Sequence, residues 1–516
     1  MTITAASSDE QRDVIAFLAD AATYRPTPAC VRRIDTHGAY VLVTDQDVFK
    51  IKRAVRYPYM DFSTLEKRRL ACAREVEINK PYAPAIYRGL IAITRESDGH
   101  LALGGAGEPI EWAVHMAPFA ESDVLANRVA QQALTVCEAK ALADAVVASH
   151  AGAAVVLTPP DHSSVLRVAG NVVSGLAGLF DDDPQVLRFA SQLALRVQSL
   201  KSLFDQRARD GHVRRCHGDL HLGNLVLIGA KPTLFDAIEF DEALATIDVL
   251  YDLAFLLMDL DHRGQRATAN VVFNRYLWRR QEGSDLGALA AMPVYLALRA
   301  AIRAMVEAQR AGAVGLDRTS ARAYLERSGS YLVAAPPHLV ITAGLSGSGK
   351  STLAAALAPM LGRAPGALHI RSDLERKALF GTGEFDRLPD SGYAPEVTAR
   401  VYEVMLHKTA AALEAGHSVV ADAVHAHPSE RADIAAVARS AGAQFTAFWL
   451  EAPADVLLRR VAHRESDASD ATPQVVERQM AYDIGNLEWT RLDASGTPEE
   501  TLCTAMSHLH ASTYRR

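Results

Sequence analysis

LVITAGLSGSGKSTLAAALAPML, residues 339–361, sets an apolar β-branched run, a glycine-rich turn and a helix-forming run end to end. Within it GLSGSGKS, Gly344 to Ser351, fits G-x-x-x-x-G-K-[ST], with the strand before it and the helix after it that this pattern needs. Glycines there let backbone N–H groups curl round a β-phosphate, and the helix N-terminus adds positive potential. Lys350 then reaches β- and γ-oxygens, and Ser351 offers a hydroxyl to Mg²⁺. Gly344, Leu345, Ser346, Gly347, Ser348, Gly349, Lys350, Ser351 and Thr352 are the expected ATP-binding residues. A glycine-rich strand-to-helix turn with no ligand is the competing reading, and strand, helix and Lys350 together weigh against it.

Working outward, LHIRSD (368–373), SVVADAV (418–424) and QFTAFWLEA (444–452) each precede a longer helical or loop stretch, the pattern of βα units in a parallel sheet. Asp373 falls at a strand end, where side chains of such a sheet face the ligand crevice, with Arg371 and Arg376 beside it as candidate substrate-binding residues. A carboxylate there takes a proton from an acceptor hydroxyl, and Arg376 can hold an anionic acceptor or the transferred phosphoryl group. An aspartate that merely caps the next helix fits the same residues equally well. Asp422 closes the next strand, a place from which a carboxylate binds Mg²⁺ through water. VLLRRVAHRES (456–466) spaces Arg460 and Arg464 at i and i+4, expected on one helix face as a lid over ATP. Over residues 338–490 these segments resemble the small P-loop kinases such as gluconate kinase, the zeta toxins and the kinase part of polynucleotide kinase. The resemblance implies phosphoryl transfer to a small hydroxyl compound or a nucleic-acid end, with Asp373 as the general base.

Pro336 and Pro337 mark a domain boundary, so residues 1–335 form a first domain and 336–516 a second. In the first, ACVRRIDTHGAYVLVTDQDVFKIKRAV (29–55) reads as short strands turning at Thr36–Gly38 and Thr44–Asp47. Ser63 and Glu66 form an S-x-x-E capping box before the helix of EKRRLACAREVEINK (66–80). Strands resume in AIYRGLIAI (85–93) and EWAVHMAPF (111–119), a helix is expected from Glu121 to about Ser149, and helical patterns continue to residue 330. The order is a β-rich lobe over about 25–119 followed by an α-rich lobe over about 120–335.

CHGDLHLGNL (216–225) and TLFDAIEFDE (233–242) carry the second chemistry. Asp219 and Asn224 have the spacing of H-R-D-L-x-x-x-N, and Asp236 follows a predicted strand, so one base and two oxygen ligands for Mg²⁺ are at hand. His217 and His221 lack a further nitrogen or thiolate ligand nearby and read as structural. These motifs resemble the aminoglycoside phosphotransferase and choline kinase group, which implies a bilobal, protein-kinase-like α+β fold over residues 25–330. By that resemblance Asp219 is the catalytic base, Asn224 and Asp236 are metal ligands, and Asp252 in VLYDLAF braces the catalytic loop. Lys50 matches the strand lysine that holds ATP phosphates, although Lys52 points the same way in an alternating strand. Glu75 is its helix partner, with Glu77 the alternative, and two exposed surface charges are the plain competing reading. The hairpin DTHGAYV (35–41) has Gly38 alone where the group carries G-x-G-x-x-G, which implies a weaker or differently made nucleotide grip. The whole chain is similar to bacterial fusions of such a domain with an α/β P-loop NTPase domain built on a parallel sheet, and this implies two ATP sites.

The chain has 516 residues and a net charge of −7. Residues 336–516 hold 17 Lys and Arg against 22 Asp and Glu, a balance of −5, so nucleic-acid backbone binding is not expected. The five cysteines form no CxxC pair, which suggests reduced thiols and no zinc site. MTITAASSDEQRD lacks a basic stretch followed by an apolar one, and LGALAAMPVYLALRAAIRAMV is interrupted by Arg299 and Arg303. A cytoplasmic protein without membrane spans is expected, acting as a bifunctional ATP- and Mg²⁺-dependent kinase on small hydroxylated metabolites. A nucleotide sensor or pseudokinase in one domain, and end-phosphorylation of nucleic acid by the P-loop domain, are the alternatives.

Overall fold

The computed structural model describes residues 8–513, apart from 37, 58, 59, 157, 182, 316, 465 and 466. The N-terminal stretch 1–7, His37 in the first hairpin turn, and Glu465 and Ser466 after the lid arginines thus lie outside the described residues. By contact the chain divides into two compact units, one of Met1–Asp161 with Asp205–Leu256, the other of His162–Phe204 with Leu257–Arg516.

Unit one is built on an antiparallel sheet of β1 (Arg32–Asp35), β2 (Ala39–Val43), β3 (Val48–Lys52), β4 (Tyr87–Arg95), β5 (Leu101–Leu103) and β6 (Glu108–Met116), in the order β1-β2-β3-β6-β4-β5. The two-residue alternation of VFKIK explains its role: Phe49 and Ile51 pack with Val14, Leu18 and Ile93 on one face, while Val48 packs with Cys72, Tyr87 and Val114 on the other. Lys50 and Lys52 share that second face, which α1 (Leu65–Asn79) covers.

The start of α1 differs from expectation. Thr64, not Ser63, is the N-cap, accepting the Lys67 N–H at 3.3 Å. Ser63 instead gives both its N–H and its hydroxyl to Asp61 Oδ1, at 3.1 and 2.6 Å, and Glu66 binds Arg69, so the capping box does not form. The helix expected from Glu121 is also broken, into Leu125–Gln131 and Val136–Gly152, because Thr135 and Glu138 form a complete capping box between the two.

Unit two holds a five-stranded, all-parallel sheet of β7 (His338–Ala343), β8 (Leu368–Arg371), β9 (Val419–Asp422), β10 (Gln444–Glu451) and β11 (Thr490–Asp493), ordered β8-β9-β7-β10-β11. Val340, Val420 and Phe448 from its three central strands are fully buried with Leu357 and Ala505, the buried-on-both-faces pattern of a βα sheet. The remaining helices of the unit include α2 (Arg266–Arg280). Among the described residues two helical stretches, His162–Phe180 and Gly283–Gly312, are long and apolar enough to cross a membrane; 67% of the most apolar window of the second is buried, as in a core helix, against 22% of that of the first. The sequence reading had singled out only the second.

Candidate functional site

Unit one brings its motif residues to one place. Lys50 on β3 sets its Nζ 2.8 Å from Glu75 Oε1 and 2.5 Å from Asp236 Oδ1. Burial works against the lysine charge, but Asp236 and Glu75 outweigh it and raise its pKa well above the ordinary value. Lys52 turns to the other oxygen of Glu75, 2.5 Å away, and to Glu239, in a position only 4% exposed. Lys50 is therefore the lysine that reaches Asp236. Glu77 pairs with Arg74 at the surface, so Glu75, fully buried, is the helix partner. Glu239 escaped the sequence reading: its partner lies 187 residues away.

The catalytic loop hangs from Asp252. Fully buried on the helix Val249–His262, this carboxylate accepts the N–H groups of His217 and Gly218 at 3.1 and 3.0 Å and lies 3.2 Å from His150 Nε2. Gly218 sits at φ +84, a backbone conformation that side-chain-bearing residues rarely adopt, and a Cβ there would crowd Ile238 at 3.0 Å and the Ala245 backbone at 3.3 Å. His217 Nδ1 accepts the Asp219 N–H at 3.3 Å, so Nε2 carries the proton it donates to Phe235 O at 2.9 Å. Burial lowers the His217 pKa, which keeps this neutral tautomer and ties the Asp219 loop to the Asp236 segment. His221 Nδ1 accepts the Gly223 N–H, the structural use expected of it.

Asn224 donates from Nδ2 to Asp219 O and to Asp219 Oδ2, both at 2.9 Å. Asp236, held at φ +59, donates its N–H to Tyr87. The side chains of Asp219 and Asp236 remain 39% and 40% exposed, unlike Glu75 behind them. Two partly exposed carboxylates and the buried amide oxygen of Asn224 are hard oxygen donors of the kind Mg²⁺ accepts. His150, Cys216 and Asp252 also gather at metal-like spacing, but Asp252 is already taken up by the loop it braces.

In unit two the phosphate loop runs from β7 into α3 (Lys350–Leu357). Gly344 and Gly347, at φ +137 and +85, have backbone oxygens of Leu450 and Leu457 only 2.6 and 2.7 Å from where a Cβ would stand, so no other residue fits. Gln479, on the helix Pro473–Met480, accepts the Ser346 N–H at 2.8 Å, a brace with no motif to betray it. Asp422 pairs in register with Thr342 on the strand that feeds the loop. Burial would raise its pKa, but His369, Lys350 and Arg371 bring it down to about 2. Its Oδ1 is buried with no hydrogen-bond partner among the described residues, and a buried charged oxygen beside a phosphate loop fits a water-bridged Mg²⁺.

Asp373 lies partly exposed in the first turn of α4 (Ser372–Leu379), whose N-cap is Arg371. The capping alternative for Asp373 is thereby corrected: the helix has already begun at Ser372. Arg371 turns to Asp467, at 3.0 Å, and to Asp422, at 3.5 Å. Arg376 is nearly buried, donating to Gly392 O at 2.8 Å and Thr398 Oγ1 at 3.2 Å, with its guanidinium 5.0 Å from the centre of the Tyr393 ring. It thus ties α4 to the segment 390–398.

The lid arginines part company. α5 (Ala454–Ala462) ends before Arg464, which approaches Asp467 at 3.9 Å, so the expected i,i+4 face does not exist. Arg460 remains on α5 and donates to Ala494 O at 2.8 Å and Gly496 O at 2.9 Å. With Gly349, Thr352 and Pro498 it lines a cavity of about 170 Å³ beside the phosphate loop.

Two families of known proteins match successive stretches of the chain. Residues 39–291 match the family described as the phosphotransferase enzyme family, and residues 339–482 match an AAA domain. A protein of Mycobacterium tuberculosis, described as uncharacterized, is 29% identical over 484 residues, 91% of this chain and 93% of that one. Among solved structures, a choline/ethanolamine kinase family protein from Mesorhizobium loti covers 63% of this chain and 95% of its own at 14% identity and a TM-score of 0.37. A gluconokinase from Sinorhizobium meliloti covers 35% and 98% at 20% identity and a TM-score of 0.25.

Proposed function

Since this chain is an ATP-dependent phosphotransferase that joins a phosphotransferase-family domain to a P-loop kinase domain, we propose that both domains transfer phosphoryl groups, each from its own ATP to a small hydroxylated metabolite. The observation that carries the reading is the bridge from Lys50 to both Glu75 and Asp236. Such a bridge holds the lysine charged where phosphate oxygens must lie, next to the Asp219–Asn224 pair, and a domain that had lost catalysis would have no need of all five.

In unit one Asp219 accepts the proton of the acceptor hydroxyl, and Lys50 neutralises phosphate oxygens while Glu75 and Lys52 keep it in place. Asn224 and Asp236 would hold Mg²⁺, which supplies charge neutralisation as the leaving phosphate develops. In unit two the N–H groups of Gly344–Ser351 and Lys350 bind the phosphates, Ser351 and Asp422 would hold the second ion, and Asp373 accepts the acceptor's proton. The cavity under Arg460 supports a place for the adenine ring. A net charge of −5 over residues 336–516 favours a small acceptor over a nucleic-acid end.

One observation favours a sensing role for unit one instead: the hairpin tip carries Gly38 alone, with Met60 close enough that a Cβ there would stand 3.2 Å from it. Calorimetry on the full chain separates the readings. Two bound nucleotides are expected, with Lys350→Ala removing one and Asp219→Asn leaving both bound while phosphotransfer at the first site stops. A single nucleotide in the unmutated chain would refute two kinases.

A further inference from the structure

β8 is an edge strand. Among the described residues it pairs with β9 alone, and the Leu368 N–H points that way, to Ser418 O at 2.9 Å. Alternation along a strand then directs Ala367 C=O and His369 N–H to the free edge, where unpaired groups invite stray pairing or fraying. Both are satisfied by α2, a helix that precedes Pro336 by more than fifty residues. Asn274 accepts the His369 N–H on Oδ1 at 2.7 Å and donates from Nδ2 to Ala367 O at 3.2 Å. A carboxamide offers one C=O and one N–H in a plane, as a neighbouring strand's peptide does, so Asn274 extends the ladder by one rung.

The contact is built along one face of α2. Asn270, one turn before Asn274, donates to Ala367 O at 3.0 Å, and Trp278, one turn after, donates from Nε1 to Leu374 O at 3.2 Å. The Asn270 side chain packs so closely on the strand's approach that a Cβ on Gly366, at φ +111, would lie 2.7 Å from Asn270 Nδ2. Phe273 packs its ring 5.2 Å from that of His417, and Arg275 pairs with Glu384 at 2.7 Å with both side chains largely buried.

What α2 grips is the segment bearing the acceptor chemistry: β8 ends at Arg371, and α4 carries Asp373 and Arg376. The phosphate loop instead follows β7, on the far side of β9. We propose that Asn270, Asn274 and Trp278 are positioning residues of the P-loop site, holding Asp373 and Arg371 in register with Asp422, so that this kinase site is completed by a helix from before the proline boundary. The role rests on the P-loop site being a kinase; the grip itself does not.

The test uses the full chain carrying Asp219→Asn, so that turnover reports the P-loop site, and compares it with the same chain carrying Asn274→Leu, similar in size without the amide. Hydrogen exchange in residues 366–379 is expected to rise about tenfold, the loss of roughly one net hydrogen bond, while residues 339–344 and 419–422 stay protected. ADP should bind with unchanged affinity and stoichiometry, and Lys350-dependent ATP turnover should fall about tenfold or more, a split that general loosening of the domain would not produce. Should Asn274→Leu fail to fold, Trp278→Phe keeps an aromatic side chain and removes the N–H, and exchange across 372–379 should still rise severalfold with ADP binding intact. Exchange and turnover both unchanged in the variants that fold would overturn the proposal. Absence of Lys350-dependent turnover before any change to α2 would instead sink the kinase reading, with the exchange result still deciding the grip.

Discussion

Glu75→Gln is the sharpest single probe of the unit-one site. The substitution keeps the shape of a fully buried side chain, so no cavity opens, and removes one charge from between Lys50 at 2.8 Å and Lys52 at 2.5 Å. Breaking a buried ion pair by losing one partner costs about 3–5 kcal/mol when the other charge is left alone. Here neither lysine is left alone, because Lys50 keeps Asp236 and Lys52 keeps Glu239. The expected loss is therefore smaller, about 2–3 kcal/mol, which for a unit of this size lowers its Tm by roughly 5–10 °C. Activity should suffer more than stability. Without Glu75 the Lys50 ammonium settles on Asp236, a carboxylate wanted for the metal, and a displacement of that order costs about a hundredfold in rate. The assay is ATP-dependent phosphotransfer in a Lys350→Ala chain, where only the first site turns over, run beside a thermal melt. Full turnover with the expected drop in Tm would refute the claim that Glu75 acts by holding Lys50 for catalysis, and would leave it a structural ion pair.

Two further outcomes follow from unit two. Asp373→Asn should lower acceptor phosphorylation at the P-loop site by roughly 10²- to 10⁴-fold with little change in ATP affinity; because Arg371 is the N-cap of α4, its effect on stability should stay under about 1 kcal/mol, and near-normal turnover would remove Asp373 from the mechanism. The stability of unit two should also fall in mild acid: burial, with Arg363 and Arg266 adding to it, brings the His417 pKa down to about 4, against an ordinary 6.5. A histidine whose folded pKa lies below its unfolded one contributes stability that is complete above pH 6.5 and is lost as the pH falls toward 4, about 3 kcal/mol in all. Denaturant melts of the full chain and of His417→Gln across that range should differ in slope, and parallel curves would refute the assignment.

Both phosphotransfer motifs could be read from the chain because each is a local object. GLSGSGKS makes its phosphate cradle from consecutive backbone N–H groups, and only glycine meets the left-handed φ at Gly344 and Gly347, so the requirement is written into eight residues. Asp219 and Asn224 likewise meet within one turn, five positions apart. Strand alternation placed Lys50 and Lys52 on one face but could not choose between them, since the choice depends on Asp236, 186 residues further on, and on Glu239. Nor could spacing show that α5 stops before Arg464, or that Asp61 draws Ser63 away from the cap. The hold of α2 on β8 is the extreme case. Asn270, Asn274 and Trp278 bind Ala367, His369 and Leu374 through backbone atoms, which every residue type possesses, so no pairing of side-chain identities marks the contact in the sequence, and only folding brings that helix face against that strand edge.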